Sequence, residues 1–305
     1  MIILLFISFL WGTSFIFGKM LLDLFSAEFV TSMRFLLSLL IFSMIYFKKL
    51  KLTKSLIKRG SMIGAVNGVA LLIQFIGLQY TTASNSAFLT ATYVLYVPLL
   101  EFLFWKTKIP RKIIASAIIS IIGVYFLSFP DLRSFSINKG DLITLICGFT
   151  FAFQIFLISH YTKKENIYGL AFMQFLISFL VSFIYFLFTY FTGRSQNNFE
   201  QLMHIEPMFN MLWLGIMCTL LPFALQFVAQ KKVNPSVAGV VYLTEPVFAM
   251  FLSYIIFSET FTNIKIAGII LILIGVLITN DISKRGIRSG IRNLLKREKR
   301  SMNKV

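Results

Sequence analysis

Ten apolar runs, each about the length needed to cross a bilayer, follow one another with short polar connections. They fall at 2–22, 28–47, 61–80, 83–105, 112–129, 140–160, 168–191, 210–230, 236–258 and 264–280. A bilayer core about 30 Å thick needs about 20 apolar residues at the helical rise of about 1.5 Å. No water is present at that depth to satisfy peptide groups, so each run has to be helical. The expected fold is an all-α membrane protein of ten transmembrane helices. Composition agrees, with 57% hydrophobic and 13% charged residues and a mean hydropathy of +0.82, outside the range of soluble domains. The first run is too long for a signal-peptide core and lacks a basic leader, so it is expected to remain as a span. The longest connection, Thr192 to Phe209, reads as an exposed loop of mixed charge.

The net charge is +17, which in a soluble chain would suggest a nucleic-acid binder. Here the basic residues lie between the runs. Lys48, Lys49, Lys51, Lys54, Lys58 and Arg59 fall on one side, with Lys106, Lys108, Arg111, Lys112, Lys163, Lys164, Lys231 and Lys232. Arg133, Lys139, Arg194 and Lys265 fall on the other. The asymmetry alternates across all ten runs and, by the positive-inside rule, puts both termini in the cytoplasm. The expected location is a bacterial inner or plasma membrane. The basic tail, 282–305, has Ile287, Ile291, Leu294 and Leu295 at helical spacing. It reads equally as a segment lying on the anionic inner leaflet or as a solvated tail, and not as a nucleic-acid binder.

The chain also repeats itself. A shift of 152 residues lays Asn67 and Gln74 on Thr219 and Gln226, and Ile122-Gly123-Val124 on Ile274-Gly275-Val276. Pro98 meets Pro246 at a shift of 148, and Trp11-Gly12 corresponds in place to Cys147-Gly148. Residues 1–130 and 138–281 then form two five-helix repeats. Five is odd, so the second enters the membrane from the opposite side, giving inverted repeats around a midplane site.

Candidate site residues are the polar and helix-breaking groups at that depth. Glu245 sits roughly 13 Å into its run at the helical rise and is followed by Pro246. Charged groups and prolines there are tolerated mainly beside a polar cavity, where Glu245 could exchange a proton; a structural carboxyl at a kink is the competing reading. Pro98, followed by Glu101, and Pro222 mark two more expected kinks. Glu101 is expected to pair with the basic stretch at Lys106. Gln74 and Gln226 read equally as cavity lining and as interhelical hydrogen bonds, and Asn67 as the latter. Tyr93, Tyr96 and Tyr242 can offer a ring face and a hydroxyl to a small organic solute, or pack in the core. Arg34 can hold a carboxylate bidentately or brace helices, whereas Lys19 reads as snorkelling. Cys147 and Cys218 lack metal-ligand or disulfide spacing. No metal, cofactor or catalytic set is expected, since His160 and His204 are far apart and no phosphate loop occurs.

In order along the chain stand Trp11-Gly12-Thr13-Ser14-Phe15 with Lys19, Arg34-Phe35, Glu245-Pro246-Val247-Phe248-Ala249, Glu259 before Asn263, and Gly268 and Gly275. With these the sequence resembles the EamA-type family of the drug/metabolite transporter superfamily over residues 1–281. The resemblance implies two EamA domains and ATP-independent export or exchange of small metabolites. Small residues on the fifth and tenth runs read equally as a dimer contact and as packing within one bundle, so a monomer or a homodimer is expected. The chain departs from the family pattern in the basic stretch at Lys106 and Lys108, where an acidic residue often closes the fourth span, and in Cys147 opposite Trp11. The expected function is a secondary transporter of small organic metabolites such as amino acids. The alternatives are a flippase for lipids or lipid-linked sugars, and a membrane-embedded enzyme, which the missing catalytic set disfavours.

Overall fold

The computed structural model describes residues 1–81, 83–129, 138–257 and 262–279. Thirteen helices carry the chain: α1 (Ile2–Leu22), α2 (Ala27–Tyr46), α3 (Lys54–Tyr80), α4 (Ala83–Ala91), α5 (Tyr93–Trp105), α6 (Arg111–Ser128), α7 (Lys139–Tyr161), α8 (Ile167–Phe191), α9 (Ile205–Gly215), α10 (Leu221–Gln230), α11 (Pro235–Tyr242), α12 (Glu245–Phe257) and α13 (Asn263–Thr279). A π turn, Ile216–Leu220, joins α9 to α10. Among the described residues nine helical segments are long and apolar enough to cross a membrane, and α13 is a shorter apolar helix at the tenth run. The chain is a multi-pass membrane protein.

The polar turns supply the caps that orphan N–H groups need. Ser26 Oγ accepts from Phe29 N at 3.3 Å, Thr53 Oγ1 from Leu56 N at 3.2 Å and Asn166 Oδ1 from Gly169 N at 3.0 Å. Asn138 and Asp141 form a reciprocal capping box at the start of α7. Because Thr53 caps it, α3 begins seven residues before the apolar run at 61, and Lys54, Lys58 and Arg59 ride on its first turns. Arg59 pairs with Glu165 at 2.5 Å, tying α3 to the α7–α8 turn. At the other end Lys19 Nζ donates to the Leu78 carbonyl at 3.2 Å, meeting one of the free carbonyls that end α3.

α3 lies between α7 and α8, and α2 between α8 and α9. α1 packs on α9, α10 and α12, whereas α4 and α5 pack on α7. The side chains left outside, such as Phe6, Leu40, Ile184 and Leu277, are exposed and apolar, as a lipid-facing surface requires. The 192–204 connection is not a free loop: Ser26 N donates to Asn197 Oδ1 at 2.9 Å and Asn198 N to Leu24 O at 3.1 Å, so it covers the α1–α2 turn.

Three runs are interrupted. The ninth breaks at Leu243–Thr244, and Pro246 then occupies the first turn of α12, where its missing N–H costs nothing. In the eighth, the π turn precedes Pro222 at the start of α10. The fourth breaks at Thr92, not at Pro98, which lies inside the continuous helix α5. Thr92 Oγ1 bonds back to Leu89 O at 2.6 Å, a side-chain competitor for the helical ladder that the proline reading overlooks. Glu101 also departs from expectation. It is buried, and its partners are Asn234 Nδ2 at 3.0 Å and the Ser236 hydroxyl at the start of α11, rather than Lys106. Glu259 and the tail 282–305 lie outside the described residues.

Candidate solute cavity

The interruptions and the central helices surround one narrow cavity of about 40 Å³, room for a few waters. Its wall takes Trp11, Ser14 and Phe15 from α1, Arg34 from α2, Leu71 and Gln74 from α3, Thr90 from α4 and Tyr93 from α5. Phe151, Gln154 and Ile155 of α7, Phe223 and Gln226 of α10, Tyr242 of α11 and Glu245 of α12 complete it. Six of the seven residues expected to touch a solute therefore meet at one place. Tyr96 does not: it is half-buried outside the cavity, with its ring edge-on to Phe149 at 5.6 Å. The break at Thr92 re-aims the helix, so the face that carries Thr90 and Tyr93 does not continue to Tyr96.

Arg34 is 1% exposed. Its Nε donates to Thr219 Oγ1 at 2.7 Å and one terminal nitrogen, Nη2, to the Cys218 carbonyl at 3.2 Å. The reason lies four residues on, where Pro222 has no N–H to offer that carbonyl. The π turn and the proline thus leave an acceptor in the membrane interior, and Arg34 fills it. Its carbon centre stands 5.1 Å from the Phe75 ring centroid, a cation–π contact. The other terminal nitrogen, Nη1, is buried without a partner.

Glu245 opens α12, where the partial positive charge of a helix start favours a carboxylate. Among the described residues it pairs with no charged side chain and accepts no side-chain hydrogen bond, and Arg34 too has no acidic partner there. Beside them Trp11 packs edge-on to Tyr242, ring centroids 5.0 Å apart, and tilted against Phe223 at 5.3 Å. Trp11 Nε1 is buried without a partner, and the Tyr242 hydroxyl lies near Gln226 without a hydrogen bond of normal geometry. Gln74 donates to Thr90 Oγ1 at 3.2 Å, and Gln154 and Gln226 exchange bonds of 3.0 and 3.3 Å. Asn67 is turned away and donates to Ser178 Oγ at 3.2 Å, a bond between α3 and α8. The cavity therefore carries one guanidinium, one carboxyl, unused N–H and O–H donors and aromatic faces.

Trp11, Thr90 and Gln154 were not among the expected lining residues. Gln154 had a signal: with Cys147 and Phe151 it occupies one face of α7 at positions i, i+4 and i+7. Among the described residues no group of three or more His, Cys, Asp or Glu side chains could hold a metal.

A model of the EamA-like transporter family matches residues 1–129 and 138–281. The chain belongs to the EamA-like transporter family. An uncharacterized transporter of Archaeoglobus fulgidus is 30% identical to it over 275 residues, covering 90% of this chain and 83% of that one. The uncharacterized transporter YetK of Bacillus subtilis is 25% identical over 276 residues, covering 88% and 82%. One protein crystal structure superposes on this EamA-like transporter with a TM-score of 0.76 at 13% identity, over 93% of this chain and 97% of that one; at that identity the likeness concerns the fold alone.

Proposed function

We propose that this EamA-like transporter is a secondary active exporter of small zwitterionic metabolites such as amino acids, working by alternating access between two inverted five-helix repeats with both termini cytoplasmic. The observation that carries the reading is the cavity's charge pattern. An unpaired Glu245 suits an ammonium group, the free Nη1 of Arg34 suits a carboxylate, and the Trp11, Phe223 and Tyr242 rings suit the apolar remainder. A guanidinium and a carboxyl without partners of opposite charge are unfavourable at membrane depth, which a solute carrying both opposite charges offsets. Apart from the half-buried Glu245, the lining polar groups are buried inside the bundle, which favours a water-soluble solute over a lipid.

The lining and its surroundings come in equivalent pairs, and these support the inverted repeat. Phe15 answers to Phe151, Gln74 to Gln226, Thr90 to Tyr242 and Tyr93 to Glu245. Ser38 Oγ donates to Gly215 O and Ser178 Oγ to Gly64 O, both at 2.8 Å. A Cβ on Gly12 would lie 2.9 Å from the Glu245 carbonyl, and one on Gly148 would lie 2.8 Å from the Leu89 carbonyl. Each glycine thus lets a first-of-repeat helix press on a broken one. The breaks themselves correspond, since Thr92 and Thr244 both bond back three residues, at 2.6 and 2.8 Å. The equivalence runs at a shift of 136 in the first helix of each half, 140 in the second and 152 from Gln74 to Glu245, so the prolines, at 148, are offset from it. Two halves able to exchange conformations around a fixed midplane site is the geometry of alternating access, with a proton gradient or counter-solute supplying the energy.

The site is tested with Trp11 as reporter. The chain has three tryptophans, so Trp105→Phe/Trp213→Phe leaves Trp11 alone. Titration with amino acids should change its fluorescence saturably, and Glu245→Gln should weaken the response. A flat response across a panel of amino acids would remove the assignment of the cavity.

A further inference from the structure

Two glutamines outside the cavity wall are fully buried, and among the described residues neither end of the amide finds a hydrogen-bond partner: Gln174 on α8 and Gln230 at the end of α10. Leaving an amide dry and unpaired is unfavourable in itself, and membrane helices provide many ways to avoid it. Their positions suggest why they are kept. Met33-Arg34-Phe35-Leu36-Leu37-Ser38 of α2 matches Met173-Gln174-Phe175-Leu176-Ile177-Ser178 of α8. The serine that closes each stretch makes the same 2.8 Å bond to a glycine carbonyl of the facing helix. Gln174 therefore occupies the place in its half that Arg34 occupies in the other.

Gln230 lies one turn beyond Gln226 on the same face of α10, and α10 packs against both α7 and α8. On α7, Ser159 lies beyond Gln154 in the same direction, and its hydroxyl is also buried without a partner. Helix direction thus places Gln230 and Ser159 beyond the Gln154–Gln226 pair, towards the face that carries Lys163, Lys164, Lys231 and Lys232. Arg34 stands on the opposite side of the cavity.

We propose that Gln174 and Gln230 form a second, uncharged subsite on the basic-loop side of the cavity, which receives the polar head of the zwitterionic solute when the bundle opens to that side. The proposal rests on the transporter reading above. An amide suits this task because its N–H₂ can donate to a carboxylate and its carbonyl can accept from an ammonium. It holds either group without a fixed charge, so the solute is gripped less firmly here than at Arg34 and can pass to or from water.

The test has two arms. In a Cys147→Ala/Cys218→Ala background, Gln174→Cys is reconstituted and exposed to a charged, water-soluble methanethiosulfonate. Modification from the face carrying Lys163 and Lys231, at least tenfold faster than from the opposite face, is expected. No modification from either face, with the thiol shown reactive after unfolding in detergent, overturns the proposal. In the natural background, Gln174→Met/Gln230→Met should leave the thermal unfolding midpoint unchanged or raised while slowing amino-acid exchange at least tenfold. A lowered midpoint, or undiminished exchange, identifies the pair as structural and overturns the proposal. If the unsubstituted protein exchanges no amino acid, the transporter reading fails, whereas the thiol arm still reports whether water reaches Gln174.

Discussion

The Gln154–Gln226 pair separates a structural clasp from a solute-binding group. Both side chains are fully buried and, among the described residues, bond to each other at 3.0 and 3.3 Å. Replacing either with Met, a close match in shape, takes from the other amide the partner it has among the described residues. That penalty is about 1–2 kcal/mol, combining the cost of an unsatisfied buried group with the modest worth of hydrogen bonds between membrane helices. Each single substitution should shift the unfolding equilibrium roughly five- to thirtyfold towards the unfolded state. The double substitution removes both amides and should return to within about 0.5 kcal/mol of the unsubstituted protein, a favourable coupling of about 1.5–4 kcal/mol. Detergent-titrated unfolding measures the cycle, and exchange in proteoliposomes is read on the same four proteins. Because both amides face the cavity, exchange should stay low in the double variant although stability recovers. Recovery of stability and exchange together would refute the reasoning, leaving the pair as a clasp and nothing more.

Glu245→Gln should retain expression and folding, since no partner is lost, yet abolish exchange or uncouple it from a pH gradient; a fully active variant reduces Glu245 to a structural residue. Pro222→Ala returns an N–H one turn from the Cys218 carbonyl that Arg34 occupies, and exchange assays should show a slower carrier with normal stability. Ser236→Ala leaves the buried Glu101 carboxylate with Asn234 as its remaining side-chain donor, and should lower the unfolding free energy by about 1–3 kcal/mol. A Cβ at Gly268 would stand 2.6 Å from the Gly123 carbonyl, so Gly268→Ala should pry α13 from α6 and cost about 1–3 kcal/mol in the same titration.

Membrane spans were legible because hydrocarbon forces apolar composition and helical backbone on every crossing. Legibility ended where side chains compete with the helical ladder. Pro246 marks its break because a helix restarts one residue before it, but Pro98 marks none, and Thr92 acts in its place through one hydroxyl. That displacement carried Tyr96 off the cavity and brought in Thr90. Arg34 was legible as an unusual buried cation, whereas its anchor on a carbonyl freed by Pro222 needed the packing of α2 on the π turn. Gln154 stands among apolar neighbours on α7, signalled by its place on the face that carries Cys147 and Phe151. Glu101 looked towards Lys106 along the sequence, but the fold offered it the cap of α11 instead.

The most direct test of the carrier account is counterflow. Liposomes holding the purified protein are loaded with an unlabelled amino acid, and uptake of the labelled form is followed with and without a pH gradient. The account predicts saturable exchange of a zwitterionic class, responsive to the gradient and lost in Glu245→Gln. No exchange across a full amino-acid panel, by protein shown to be folded, would contradict it and turn attention to lipid substrates.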